Sequence, residues 1–216
     1  MKTKNIFTLL TFIVCILTIS LLTSGGCGIN FGNDNNNGGD GNTGSDSVQG
    51  TITSITNVGS TSGITVQATD SSNTFSATTN SNGFFKIEGN FSGSSLRLDF
   101  LNQSNNLLAT TSVTIFPGIE IDLGNITISN GNVNLSGSIN ITFDGDISEN
   151  NCSGNAGTIV VAAGNTDVIV QVLTSTTIVD SNNNTLSCGN LSSGKVTVTG
   201  TLLMGNTVKA NRIELQ

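Results

Sequence analysis

Leu96-Arg97-Leu98-Asp99-Phe100 and Ile119-Glu120-Ile121-Asp122-Leu123 alternate apolar and polar residues without a break. A period of two places one set of side chains on each face of an extended strand, whereas a helix needs about 3.6 residues per turn. The same alternation runs through Val48–Ile52, Ile64–Ala68, Phe75–Thr78 and Phe85–Glu88, and the stretch from Leu107 to Ile115 supplies another strand. Between these runs stand clusters such as Asn80-Ser-Asn-Gly83 and Ser92-Gly-Ser-Ser95, whose residues favour turns. Seven short strands with regular turns and no helical period predict an all-β sandwich over residues 48–129.

Strands continue beyond it: Val133 to Phe143, Gly157 to Ala163, Val168 to Leu173, Lys195 to Leu203 and Thr207 to Leu215. Five strands joined by Gly/Asn turns predict a small barrel, OB-like in size, over 131–216. The fold class expected is therefore all-β, a sandwich followed by a barrel.

Residues 1–27 have another character. A basic head (Lys2, Lys4), an apolar run from Ile6 to Leu22 and the small-residue exit Ser24-Gly25-Gly26 are the marks of a secretory leader. Ser24-Gly25-Gly26-Cys27 resembles the lipobox of bacterial lipoproteins, with Ser24 standing where that pattern carries Leu. The resemblance implies cleavage after residue 26 and acylation (palmitate or a similar chain) of Cys27, so that several acyl chains hold the protein to a membrane. Gly28 follows the cysteine in place of the Asp that retains some lipoproteins at inner membranes, which favours the outer membrane or cell surface. From Cys27 to residue 47 the chain is Gly- and Asn-rich, with too few apolar residues to offset ordering entropy, and reads as a flexible tether. Asp34, Asn36, Asp40 and Asp46 carry the residue mix of calcium loops without their order, and read as solvated linker.

Composition narrows the chemistry. The 216 residues contain no His, Trp or Tyr. Histidine proton shuttles, His-based triads and zinc sites with His ligands are thereby excluded, and the best stacking surfaces for bases or sugars are missing. The formal charge is −7; loss of Lys2 and Lys4 with the leader leaves 5 basic against 14 acidic residues, or −9. Such a surface repels nucleic acid, so no nucleic-acid partner is expected.

Cys152 and Cys188 remain in an exported chain and are expected to pair as a disulfide. Asp144-Gly145-Asp146, with Glu149 nearby, reads as an acidic turn, a weak candidate for a metal or for acid–base work. No cofactor is expected.

Two segments carry family resemblances. Val48-Gln-Gly50-Thr-Ile52, Ile64-Thr-Val66 and Thr78-Thr-Asn80-Ser-Asn-Gly83-Phe-Phe85 resemble the carboxypeptidase regulatory-like family, transthyretin-like sandwiches of bacterial surface proteins. Asn80 stands where that family usually has Asp, and Gly83 and Phe85 match. Related pilin-type sandwiches carry Lys–Asn isopeptide bonds, but Lys86 alternates away from Phe85 and Ile87 and reads as a solvated lysine. The ending Gly194-Lys-Val196-Thr-Val198-Thr-Gly200, then Ala210-Asn-Arg-Ile213, resembles a family of small envelope barrels of unknown function.

The function expected is a lipid-anchored, non-enzymatic envelope protein with a structural or adhesive role and a protein or glycan partner. The alternatives are a polysaccharide- or small-ligand-binding protein and, third, a carboxylate-based hydrolase.

Overall fold

The computed structural model describes residues 46–216; the expected leader, Cys27, Asp34, Asn36, Asp40 and nearly all of the expected tether lie outside them. The described chain is all-β, apart from one 3-10 turn at Cys188–Asn190, and belongs to a single compact unit. Its strands are β1 (Asp46–Ile55), β2 (Thr65–Thr69), β3 (Thr74–Thr78), β4 (Phe84–Gly89), β5 (Ser95–Leu101), β6 (Leu107–Thr114), β7 (Glu120–Ser129) and β8 (Asn132–Ser136). There follow β9 (Asn140–Asn150), β10 (Gly157–Ala163), β11 (Thr166–Val172), β12 (Thr177–Val179), β13 (Lys195–Leu202) and β14 (Thr207–Leu215).

One sheet has the order β3-β2-β5-β6. The other runs β4-β1-β7-β9 and then closes on itself, because β9 pairs with both β13 and β10. The closed part is a five-stranded barrel, β9-β10-β11-β14-β13, in which only β11 and β14 are parallel neighbours. The alternation read from the sequence explains both cores. Val48, Ile52, Phe85, Leu98, Phe100 and Ile121 are buried at alternate strand positions, and the rings of Phe85 on β4 and Phe100 on β5 meet edge-on at 6.2 Å. Inside the barrel, Ile141, Phe143, Val161, Val170, Val198 and Val208 are buried in the same way.

The β7–β9 pairing joins the barrel to the first sheet, and the β6–β7 loop adds a side-chain lock. Phe116, between β6 and β7, is 2% exposed, and its ring stands at 80° to that of Phe143 on β9, centroids 4.9 Å apart. At the barrel's other end, the Cys152–Cys188 disulfide joins the β9–β10 turn to the long β11–β13 connection, with Cα atoms 5.6 Å apart. Asn150 adds two bonds across the same join, its Nδ2 donating to the carbonyls of Cys188 (2.9 Å) and Leu191 (2.7 Å).

Three expectations need correcting. The segment Val133 to Phe143 is not one strand: Gly137, at φ +121°, breaks it into β8, which pairs with β7 outside the barrel, and β9. Apolar residues keep alternating across the break (Val133, Leu135, Ile139, Ile141), so periodicity could not reveal it. Asp144-Gly145-Asp146 is not a turn but the middle of β9. Gly145 is there for close packing: a Cβ on it would lie 2.6 Å from the carbonyl oxygen of Ala162. Asp46 is not tether but the first residue of β1. Its carboxylate accepts backbone N–H groups of Phe91 (2.5 Å), Gly118 (2.6 Å) and Ile119 (3.1 Å).

The turns share one chemistry. Asp70, Asn80, Asn102 and Asp180 each open a turn by accepting N–H groups two to four residues ahead, at 2.6–3.1 Å. This local bonding is why Asn and Asp favour such positions. Asp70, bonded first to Ser72 and then to Asn73 and Ser92, and Asp180, bonded first to the Asn184 side chain, are held below the ordinary carboxylate pKa. Burial instead raises that of Asp46, against its three N–H bonds and with a further push from the charge of Asp70. The signs are therefore opposite. Asp70 and Asp180 stabilise the fold above the ordinary carboxylate pKa, and that contribution disappears as pH falls through their lowered values; the contribution of Asp46 exists below the ordinary value and is lost as pH rises through its raised one. In urea titrations across the carboxylate range, Asp70→Asn is expected to shrink the loss of stability on the acid side. Asp46→Asn is expected to remove a decline on the upper side. Unchanged pH profiles for both variants would contradict these assignments.

Candidate functional site

The continuous sheet carries a hollow where the first sheet passes into the barrel. Strand pairing sets it out in two rows. Lys86 on β4 lies opposite Gln49 on β1, which is in register with Asp122 on β7, and Asp122 with Asn140 on β9. In the second row Ser47 on β1 lies beside Glu120 on β7, then Thr142 on β9 and Thr199 on β13. Period two sends all of these side chains to the face away from the core. The cavity they line measures about 260 Å³.

Its electrostatics are mixed. The Lys86 ammonium pairs with Glu88 at 2.5 Å; the bond to Glu88 first, then the charges of Glu88 and Glu120, hold its pKa above the ordinary lysine value. Asp122 accepts the Gly124 N–H at 2.8 Å, and the hydroxyls of Thr142 and Thr199 meet at 3.2 Å. The amides of Gln49 and Asn140 and the carboxylate of Glu120 have no side-chain hydrogen bond to any described residue. Each amide offers two donors and an acceptor, each carboxylate only acceptors. Such a set matches neighbouring hydroxyl groups, which both donate and accept. A second hollow, of about 280 Å³ between residues 58–64 and Asn102–Ser104, is lined by no charged residue.

The sequence-predicted candidates lie elsewhere. Cys152 and Cys188 are joined to each other. Asp144 and Asp146 share the outer face of β9. Asp144 accepts bonds from Thr197 (2.6 Å) and Gln216 (3.3 Å), while Asp146 lies opposite Lys195. A bulge follows Ile147 and shifts the register before Glu149. Among the described residues, no three His, Cys, Asp or Glu side chains converge to hold a metal ion. Cys27 lies outside the described residues, among which no helix is long and apolar enough to cross a membrane.

Sequence reasoning missed Gln49, Glu120, Asn140, Thr142 and Thr199. Their signal was present, since each is a polar position of an alternating strand, but only the β7–β9 pairing makes them neighbours. Compared with protein-family models, curated proteins and solved structures, the chain matches none.

Proposed function

We propose that this chain is a lipid-anchored envelope protein, acylated at Cys27 and displayed at the outer membrane or cell surface, that acts by binding rather than by catalysis. The observation that carries the binding role is the polar hollow on the outer face of β4-β1-β7-β9-β13, where Gln49, Glu120, Asp122 and Asn140 offer mixed donors and acceptors. Hydroxyl-rich ligands, such as an envelope or host polysaccharide, fit that chemistry. With no Trp or Tyr to stack on a sugar ring, the site depends on hydrogen bonds, each worth about 1 kcal/mol net.

We also propose a transthyretin-like sandwich followed by an OB-like barrel. A transthyretin-like sandwich over 48–129 is supported by seven strands in two sheets and by Asn80, whose side chain caps the turn that Gly83 (φ +77°) completes before Phe85. An OB-like barrel over 131–216 is supported by five strands closing in the order first, second, third, fifth, fourth. The proposed division at Asn130-Gly131, both at positive φ, lies in the β7–β8 turn; β8 still pairs with β7, and the barrel's own strands begin at β9.

Two measurements test the proposal. Mass spectrometry of protein from its producing cell should find Cys27 as the acylated first residue; an intact leader or a free thiol there overturns the anchor. On a glycan array, the mature protein should bind at least one polysaccharide class. Asn140→Ala and Gln49→Ala should each weaken that binding by roughly fivefold, the equivalent of about one lost hydrogen bond. Turnover of a substrate, or silence on the array at high protein concentration, overturns the ligand reading.

A further inference from the structure

The β13–β14 hairpin ends in Leu203-Met204-Gly205-Asn206, whereas the turns at 70–73, 80–83, 102–106 and 180–184 are built from Asp, Asn, Ser, Gln and Gly. Met204 is 89% exposed, and Leu203 and Ile169 are 43% and 42% exposed. They lie close together at one end of the barrel: Leu203 donates its N–H to the Thr207 carbonyl at 2.8 Å, and Thr207, which stands between them, is in register with Ile169 on β11. The hairpin end is also fastened. The Ile169 N–H bonds to the Asn206 carbonyl at 3.0 Å, and the Asn206 side chain donates to the carbonyl of Asp167. Isolated exposed apolar residues need no explanation, but a fastened turn that presents Leu203 and Met204, with Ile169 one strand away, makes a small apolar contact surface.

Its place in the fold points to the occupant. The chain comes in at Asp46, whose carboxylate is bonded to Gly118 and Ile119. The adjoining Pro117 packs on the β10–β11 turn, where a Cβ on Gly164 would lie 2.9 Å from the proline Cγ. That turn leads into Asp167, the partner of Asn206. The apolar hairpin end and the point where the tether joins are therefore at the same end of the barrel. Asp46 follows Cys27 by 19 positions, so the join can be no farther than about 65 Å from an acylated Cys27. Tethering keeps the local lipid concentration high, so even a small apolar contact is populated.

We propose that the Leu203–Met204 hairpin end is a second membrane contact, seated in the headgroup region of the bilayer that holds the anchor. This rests on the lipid-anchor reading above. The contact works through apolar burial: an acidic protein gains nothing from anionic headgroups, and the charges beside the hairpin end, Asp167 and Lys209, are of opposite sign.

Because the chain has no Trp, Met204→Trp creates a single indole reporter. The full lipidated variant, reconstituted in phosphatidylcholine vesicles, is expected to float with them and to emit at shorter wavelength than in detergent-free buffer. Lipids brominated near the headgroup should quench that emission more than lipids brominated near the chain ends, as for a side chain about 5–10 Å deep. Ser104→Trp, in the β5–β6 turn at the far end of the first sheets, should keep water-like emission. Flotation with water-like emission from position 204, or equal shifts at both positions, overturns the contact and leaves the anchor standing. Failure to float overturns both. A blue shift that grows with protein concentration in the absence of vesicles assigns the surface to a second copy of the chain and also overturns the proposal.

Discussion

Phe116→Ala is expected to lower the unfolding free energy by about 3–5 kcal/mol, the range for removing a fully buried aromatic side chain. The ring is buried between the β6–β7 loop and the barrel strand β9, and its edge-to-face contact with Phe143 adds about 0.5–1.5 kcal/mol beyond area burial. Alanine at 116 cannot reach Phe143, and the strands around the gap are held by their own ladders, so collapse into it is restricted. Urea unfolding of the protein measures the loss as a lower midpoint. A double-mutant cycle with Phe143→Ala should return a coupling of at least about 0.5 kcal/mol. A loss below about 1 kcal/mol would show that the loop adds little to the β7–β9 pairing that already joins the barrel to the first sheet.

Removing the disulfide, by Cys152→Ser with Cys188→Ser, is expected to cost about 4 kcal/mol. The two cysteines are 36 positions apart, and the chain-entropy model assigns roughly that value to a loop of this size. For a protein of this length such a loss lowers Tm by about 10 °C. The contacts that remain limit the damage. Asn150 still bonds to Cys188 and Leu191 through backbone carbonyls, and the Gly189 N–H still reaches the Gly154 carbonyl at 2.7 Å. The connection should therefore stay docked in the native state, and the effect should come from the unfolded chain. Adding Asn150→Ala to the double serine variant should cost about 1–3 kcal/mol more, since the Leu191 carbonyl loses its donor and the Cys188 carbonyl keeps only the Leu191 N–H at 3.2 Å. An equal Tm for the oxidised and reduced proteins would refute the entropic account.

The strands were largely legible because their evidence is local. Leu96–Phe100, Ile119–Leu123 and Lys195–Leu202 alternate in sequence and in burial alike, and Asn80 to Gly83 turns by bonds made within four residues. The errors arose where a local cue has two physical meanings. Glycine between two aspartates suggests a turn, yet at Gly145 it serves the close approach of β10. Glycine between serines suggests little, yet at Gly137 it ends one strand and begins another in a different partnership. Asp46 looked like the last of a run of linker acids; the three N–H groups that bind it come from residues 45 to 73 positions away. The polar hollow was illegible for the same reason, because Lys86, Asp122 and Asn140 share it only through the β1–β7–β9 order.

Sequence alone determined the all-β class, most strand positions though not the β8–β9 break or β12, the chemistry of most turns and the cysteine pair, since each depends on residue type and on spacing over a few positions. Tertiary structure decided that the barrel closes through β9, that Phe116 locks the two halves, and that polar strand faces meet in one hollow. Those outcomes depend on which strands pair and in what register, and backbone hydrogen bonds are nearly indifferent to residue identity. The choice among pairings is made by the whole core at once.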